Sequence, residues 1–219
     1  MEIKVMKRVL DRNQDKAEQI RALLKENHVR MYNLISSPGA GKTTLLEQTC
    51  RHLGPDYGVG IIEGDVYTDR DARRLQSYGF PIVLINTEGG CHLDSNSISG
   101  ALQEFNLQNL RLLFVENVGN LVCPSHFDLG ETSKIAVVST SEGDDKPIKY
   151  PMLFRDARAV VLNKMDLLEY TDFDYNHFIS DLRQVNPTVP LFETSSTKGQ
   201  GLEGWFHWLE QEMKEQMNK

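Results

Sequence analysis

The chain predicts a doubly wound α/β fold, a mostly parallel seven-stranded sheet with helices on both faces. Three observations carry this reading. Seven short runs rich in Val, Ile and Leu recur along the 219 residues, separated by segments with helical spacing. The first run leads through a Gly-rich turn directly into a helix, as βα junctions of such sheets do. No repeat, Pro- or Ser-rich linker or low-complexity block divides the sequence. One domain over 1–219 is expected, with 1–29 as an N-terminal helical extension packed on it.

That extension comes first. In RNQDKAEQIRALLKEN (12–27), Ala17, Ile20, Leu23 and Leu24 fall on one face at spacings of three and four. The spacing predicts an amphipathic helix with Asp11 as its N-cap. Strands are expected at 31–36, 59–63, 81–86, 110–116, 135–140, 159–163 and 189–193. Each run is apolar on both faces, as helix-covered parallel strands should be. Helices are expected between them at 42–52, 68–78, 94–105, 150–156, 173–185 and 201–217.

Charge and composition narrow the function. With 24 Lys+Arg against 31 Asp+Glu the formal net charge is −7, which opposes binding to polyphosphate backbones, so no nucleic-acid partner is expected. No apolar run approaches the ~20 residues that cross a bilayer. The N-terminus lacks an apolar signal segment, so no membrane association and a cytoplasmic location are expected. Three cysteines, Cys50, Cys91 and Cys123, make no disulfide framework. In a reducing compartment they read as free thiols or metal ligands.

Ser36-Ser37-Pro38-Gly39-Ala40-Gly41-Lys42-Thr43-Thr44 lies between the first strand and a helix, the context a nucleotide phosphate loop requires. Gly39 and Gly41 let backbone amides, with those of Ala40 and Thr44, approach phosphate oxygens at a helix N-terminus. Lys42 is placed to reach the β- and γ-phosphates, and the Thr43 hydroxyl to ligate Mg²⁺. Ser36 stands where this motif usually starts with Gly.

Asn163-Lys164-Met165-Asp166 follows the sixth run and selects the base. A carboxylate there accepts two hydrogen bonds from the N1–H and exocyclic amine of guanine, whereas adenine presents a lone pair on that edge. Asn163 can bond the N7/O6 edge and hold the loop, while the Lys164 stem covers the base. Ser195 and Ser196, after the last run, occupy the place of a further base-contacting loop. GTP and GDP are therefore the expected ligands.

Between these ends lie switch candidates. Asp65 ends the second strand and can hold Mg²⁺ or its waters. Glu116, ahead of Gly119 in ENVG, stands where an acidic residue precedes a glycine that senses the γ-phosphate. It can touch Mg²⁺ through water or orient the attacking water. Cys91 and His92 are adjacent in one loop, and Cys123 lies four residues beyond Gly119. Thiolate and imidazole suit Zn²⁺ or Ni²⁺ rather than Mg²⁺. Three ligands leave a tetrahedral set incomplete, which a water or a second subunit can fill.

These residues resemble the hydrogenase nickel-incorporation GTPases, the HypB family, of the phosphate-loop class that includes the urease accessory GTPase. The resemblance covers nearly the whole chain: NLISSPGAGKTTLLEQT (33–49), IEGD with a following TDRDA (62–72), INTEGGCHLDS (85–95), LLFVENVGNLVCPSHFDLGE (112–131), SEGDDKPIKYP (141–151) and VLNKMDLL (161–168). It implies that Cys91, His92 and Cys123 form a Zn²⁺ or Ni²⁺ site near a dimer interface. It further implies a GTP-hydrolysing metallochaperone for [NiFe]-hydrogenase maturation, with a GTP-favoured homodimer, a HypA-like nickel-binding accessory protein and the hydrogenase large subunit as partners. Residues 1–30 hold no Cys and only His28, so the separate N-terminal nickel site of some relatives is not expected. Competing readings are nickel delivery to another enzyme such as urease, a small-molecule kinase, or a passive metal-binding module.

Overall fold

The computed structural model describes residues 4–54, 57–65 and 70–217. In chain order the elements are α1 (Lys4–Glu26), β1 (Arg30–Ser36), α2 (Lys42–Leu53), β2 (Val59–Asp65), α3 (Arg70–Gln76), β3 (Ile82–Asn86), α4 (Ser95–Leu102) and β4 (Leu112–Glu116). Then follow α5 (Cys123–His126), β5 (Ser133–Ser139), α6 (Lys146–Lys149), α7 (Pro151–Asp156), β6 (Ala157–Asn163), α8 (Tyr175–Val185), β7 (Leu191–Glu193) and α9 (Glu203–Met217). The seven strands form one sheet in the order β3-β2-β4-β1-β5-β6-β7. Every pairing is parallel, rather than mostly so. Because β1 pairs with β4 and β5 while the chain runs on to β2, the crossovers diverge beside β1, where open sheets of this kind bind ligands.

Alternation along β1 sorts the core. Tyr32 and Leu34 point into one layer, where α2, α9 and Leu75 of α3 cover the sheet. Met31 and Ile35 point to the other, under α1 and α4 on one side and α7 and α8 on the other. Asn33 shares that second face and is fully buried, a polar interruption in an apolar run. Glu63 interrupts β2 in the same way. The expectation of apolar burial on both faces fails outright at β3, where Leu84 is exposed because the strand lies at the sheet edge.

Helical readings need three corrections. Asp11 is no N-cap but lies within α1, which begins upstream. No Gly or Pro precedes Pro38 to stop a helix, and an exposed Asp in a helix costs less than ~0.7 kcal/mol. Leu23 is exposed, whereas Ala17, Ile20 and Leu24 are buried. Residues 68 and 69 of the expected 68–78 helix, with part of TDRDA, lie outside the described residues, and α3 ends at Gln76.

The C-terminal helix is fixed to β1 by a buried carboxylate. Glu212 accepts from the Tyr32 hydroxyl at 2.8 Å and from Arg158 at 2.8 Å, and it pairs with Arg30. Burial alone raises its pKa, but Arg158, Tyr32 and Arg30 outweigh this and hold it below the usual carboxylate range. A depressed folded pKa contributes stability that is complete above the unfolded value and is lost as pH falls through the folded one. Glu212→Gln should therefore cost about 2–3 kcal/mol at neutral pH, discounting for the half-exposed Arg158. Urea unfolding at pH 7 and at pH 3 checks this, and the gap between variant and parent should narrow in acid.

Candidate functional site

A cleft of about 490 Å³ opens at the C-terminal edge of the sheet, a volume suited to a nucleotide. Its floor is the β1–α2 turn. Gly39 and Gly41 adopt φ of 76° and 100°, left-handed backbone that other residues rarely take. Gly41 is also the N-cap of α2 and supplies no side-chain cap, which leaves the first helical amides facing the cleft. Lys42 is buried along its stem, and its Nζ donates to the Ser36 hydroxyl at 2.9 Å. The serine that replaces the usual glycine thus serves as a rest for the phosphate-loop lysine. Thr43 donates to Glu116 Oε1 at 2.7 Å, joining the first turn of α2 to the end of β4.

Behind Glu116 sits a carboxylate that sequence reasoning passed over as a ligand. Glu63 pairs in register with Glu116, lines the cleft and is buried. Its sequence signal was a charge closing the apolar run 59–63, two residues before Asp65. Asp65 lines the cleft two residues further on. Two carboxylates buried side by side next to a hydroxyl form a hard oxygen donor set, and such a set favours a divalent cation such as Mg²⁺. Arg74 of α3 also lines the cleft, held by Glu47 at 2.8 Å and within 3.4 Å of the Thr44 hydroxyl. Nothing in the sequence set it apart from Arg73.

At the other end of the cleft, Asn163 is buried and ties three segments together. Its Nδ2 donates to the Ala40 carbonyl at 2.9 Å. Its Oδ1 accepts from the Ser196 amide at 3.0 Å, the Ser196 hydroxyl at 2.9 Å and the Thr194 hydroxyl at 3.2 Å. Lys164 follows at φ 60°, its carbonyl taken by the Thr140 hydroxyl at 2.6 Å. Asp166 lies on the 3₁₀ turn Met165–Tyr170 and accepts a hydrogen bond from the Ser195 hydroxyl. The residues read from sequence as base-contacting therefore share one rim. Asn163, Lys164 and Thr197 line the cleft itself.

Gly119 packs on the opposite wall, so close that a Cβ there would lie 2.9 Å from the Pro38 backbone. The loop that leaves it carries Cys123, one of three side chains that could hold a soft metal ion. Cys91 and His92 on the β3–α4 loop meet Cys123 at the start of α5, with one ligand atom of each within 4.8 Å of the others. His126 is not part of this cluster. Cys91 Sγ lies 3.5 Å from His92 Nδ1, and the imidazole stacks on Phe127 with centroids 3.9 Å apart. Burial lowers the His92 pKa, which favours the neutral imidazole, the form that can ligate a metal. A hydrogen bond with Cys123, then burial, raise the Cys91 thiol. Thiol protons would be released when a cation binds there.

Comparisons with known proteins agree with this fold. Residues 30–193 match the family described as the CobW/HypB/UreG nucleotide-binding domain. The chain is 46% identical to the hydrogenase maturation factor HypB of Escherichia coli K12 over 92% of its length and 70% of that protein's. It is 40% identical to the hydrogenase/urease maturation factor HypB of Helicobacter hepaticus, covering 95% of this chain and 87% of that one. Among solved structures, HypB from Helicobacter pylori in complex with nickel superposes with a TM-score of 0.86 at 36% identity, covering 93% and 96% of the two chains.

A Cβ at Gly41 would lie 2.4 Å from Asn163 Nδ2. Gly41→Ala should therefore disturb floor and rim together. Nucleotide affinity is expected to drop about tenfold or more, equivalent to ~1.4 kcal/mol. Titration with a fluorescent guanine nucleotide checks this, and unaltered affinity would detach the turn from the ligand.

Proposed function

The chain belongs to the HypB family of hydrogenase maturation factors, within the CobW/HypB/UreG nucleotide-binding domains, and from that premise we propose that it hydrolyses GTP to deliver nickel during [NiFe]-hydrogenase assembly. One observation carries the reading. Cys123 lies on the loop that leaves β4 through Gly119, so the nucleotide cleft and the Cys91–His92–Cys123 cluster share one loop.

In this reading water attacks the γ-phosphorus of GTP and releases GDP and phosphate. Lys42 and the amides of residues 39–44 neutralise the charge that develops on the phosphoryl oxygens. Thr43, Asp65 and Glu116, joined by Glu63, would hold Mg²⁺, which supplies further charge neutralisation on the phosphates. Glu116 also orients the attacking water. Asp166, steadied by Ser195, selects guanine, and Ser196 and Lys164 complete the base site. Ni²⁺, or Zn²⁺ in its place, is cargo held by two sulfurs and one imidazole nitrogen.

A three-ligand site leaves a coordination position open, and a second copy of the chain in the GTP state is the proposed source of closure. A HypA-like nickel-binding protein and the hydrogenase large subunit are the proposed donor and recipient. The free cysteines suit a reducing cytoplasm. No helix among the described residues is long and apolar enough to cross a membrane. Delivery to urease is the second reading, favoured by the dual role in the description of the Helicobacter hepaticus relative.

Phosphate release and metal stoichiometry, measured on one purified sample, test the proposal. Lys42→Ala should lose roughly 10²–10³-fold in GTP turnover while remaining folded. Cys123→Ala should lose the Ni²⁺ or Zn²⁺ site and keep nucleotide binding. Unchanged turnover in the first variant would remove catalysis from the turn, and unchanged metal affinity in the second would remove the site. Asp166→Asn should shift preference from GTP to xanthosine triphosphate, because Asn donates to the exocyclic oxygen that replaces guanine's amine. Competition between the two nucleotides decides the assignment.

A further inference from the structure

Two asparagines of the loop after β4 take hold of the Cys91–His92 dipeptide from its two sides. Asn117 Oδ1 accepts from the Leu93 amide at 3.3 Å and from the Val118 amide at 3.0 Å. Asn120 Nδ2 donates to the Cys91 carbonyl at 3.2 Å, and its Oδ1 accepts from the Val122 amide at 2.8 Å. The donor and acceptor ends of both side-chain amides are thus fixed by their partners. Asn120 joins the backbone at one ligand, Cys91, to the residue that precedes another, Cys123. Between the two asparagines lies Gly119, in contact with Pro38 of the phosphate turn.

The inner asparagine is anchored from behind. Asn117 is 1% exposed, and its Nδ2 donates to Asn33 Oδ1 at 3.1 Å. Asn33 in turn donates to Glu131 Oε1 at 3.4 Å, and Glu131 Oε2 accepts from the Leu129 amide at 2.6 Å. A polar chain therefore runs from the middle of β1 through Asn117 to the metal-ligand loop, and from Glu131 to the segment that follows α5. Hydrogen bonds weaken steeply beyond these lengths. A shift of Gly119 by about 1 Å must either drag the Cys91–His92 backbone along or break its ties.

We propose that Asn117 and Asn120 are positioning residues that transmit the nucleotide state to the metal site, by gripping the Cys91–His92 backbone on both sides of the γ-phosphate-facing Gly119. The inference rests on the proposed GTP-driven nickel function and assigns the residues that regulate it. The state of the loop sets where Cys91 and His92 stand relative to Cys123, and so sets metal affinity. By linkage, metal then alters nucleotide affinity by the same factor.

The test is Ni²⁺ titration of the whole chain loaded with GDP and with a non-hydrolysable GTP analogue, repeated for Asn117→Ala, Asn120→Ala and Asn120→Asp. In the parent protein the two affinities should differ by roughly 5–150-fold. Both alanine variants should bring the ratio to within about twofold of one. Asn120→Asp keeps an acceptor for the Val122 amide but has no donor for the Cys91 carbonyl, so it too should lose the ratio, whatever its added charge does to both affinities alike. Nucleotide affinity measured with and without Ni²⁺ should show the same loss. If Asn117→Ala does not fold, Asn120, which is half-exposed, carries the test alone. A parent ratio that survives in the variants, or an equal loss of metal affinity in both states with the ratio intact, overturns the relay and leaves the proposed function standing. A parent ratio of one overturns the coupling in that function and the relay with it.

Discussion

Asn163 ties neighbouring loops together, its Oδ1 accepting from Thr194 and Ser196 and its Nδ2 donating to the Ala40 carbonyl. Through it the ends of β1, β6 and β7 become one rigid rim. The interaction constrains everything around it. The phosphate turn must run close beneath the amide, which is why Gly41 tolerates no Cβ. Gln48 of α2 reaches the Ser196 carbonyl at 2.8 Å, so the helix whose N-terminus faces the cleft also supports the base rim. Four bonds to one buried amide leave little freedom to the site between them.

The switch side of the cleft is built differently. Asn33, Glu63, Glu116, Asn117 and Glu131 are all buried among or beside apolar strands. Burial pushes the Glu131 carboxyl up, opposed by Lys134. Such groups cost free energy unless their hydrogen bonds are made. Hydrophobic residues of similar size would serve packing alone equally well. A polar seam with defined partners has discrete arrangements, a property that would suit the proposed response to nucleotide.

Helix α1 closes this seam from outside. Asn13 donates to the Asp128 carbonyl at 2.8 Å and accepts from the Ser95 amide at 2.9 Å. It thereby spans the segments that follow the Cys91–His92 pair and Cys123. Arg21 pairs with Asp128 at 2.8 Å, but its half-exposed guanidinium limits that pair to about 1 kcal/mol or less. The steadier hold is Ile20 and Leu24 packed beside Leu129. Gly130, at φ 79°, lets the loop pass within 2.6 Å of the Ala17 carbonyl, measured from where a Cβ would stand.

Much of this molecule is written locally. All seven strands, the Gly-rich turn after β1, the NKMD rim and the three residues Cys91, His92 and Cys123 that the fold brings together were legible in sequence. Each depends on periodicity within one element or on side chains a few positions apart, and short spacings survive folding unchanged. The rest depends on residues distant in the chain. Asp11 resembled a cap because its own neighbours could not reveal where α1 began. Leu84 read as core until strand order placed β3 at an edge. Glu63 faces the cleft only because its register sets it beside Glu116. Asn33 and Asn117 lie 84 positions apart and become partners only when β1 and β4 pair. The sequence by itself determined which elements form and which chemical groups they carry, because propensity and motif spacing are local. Tertiary structure alone decided which buried polar groups meet, because strand register and crossover bring together residues that no local pattern connects.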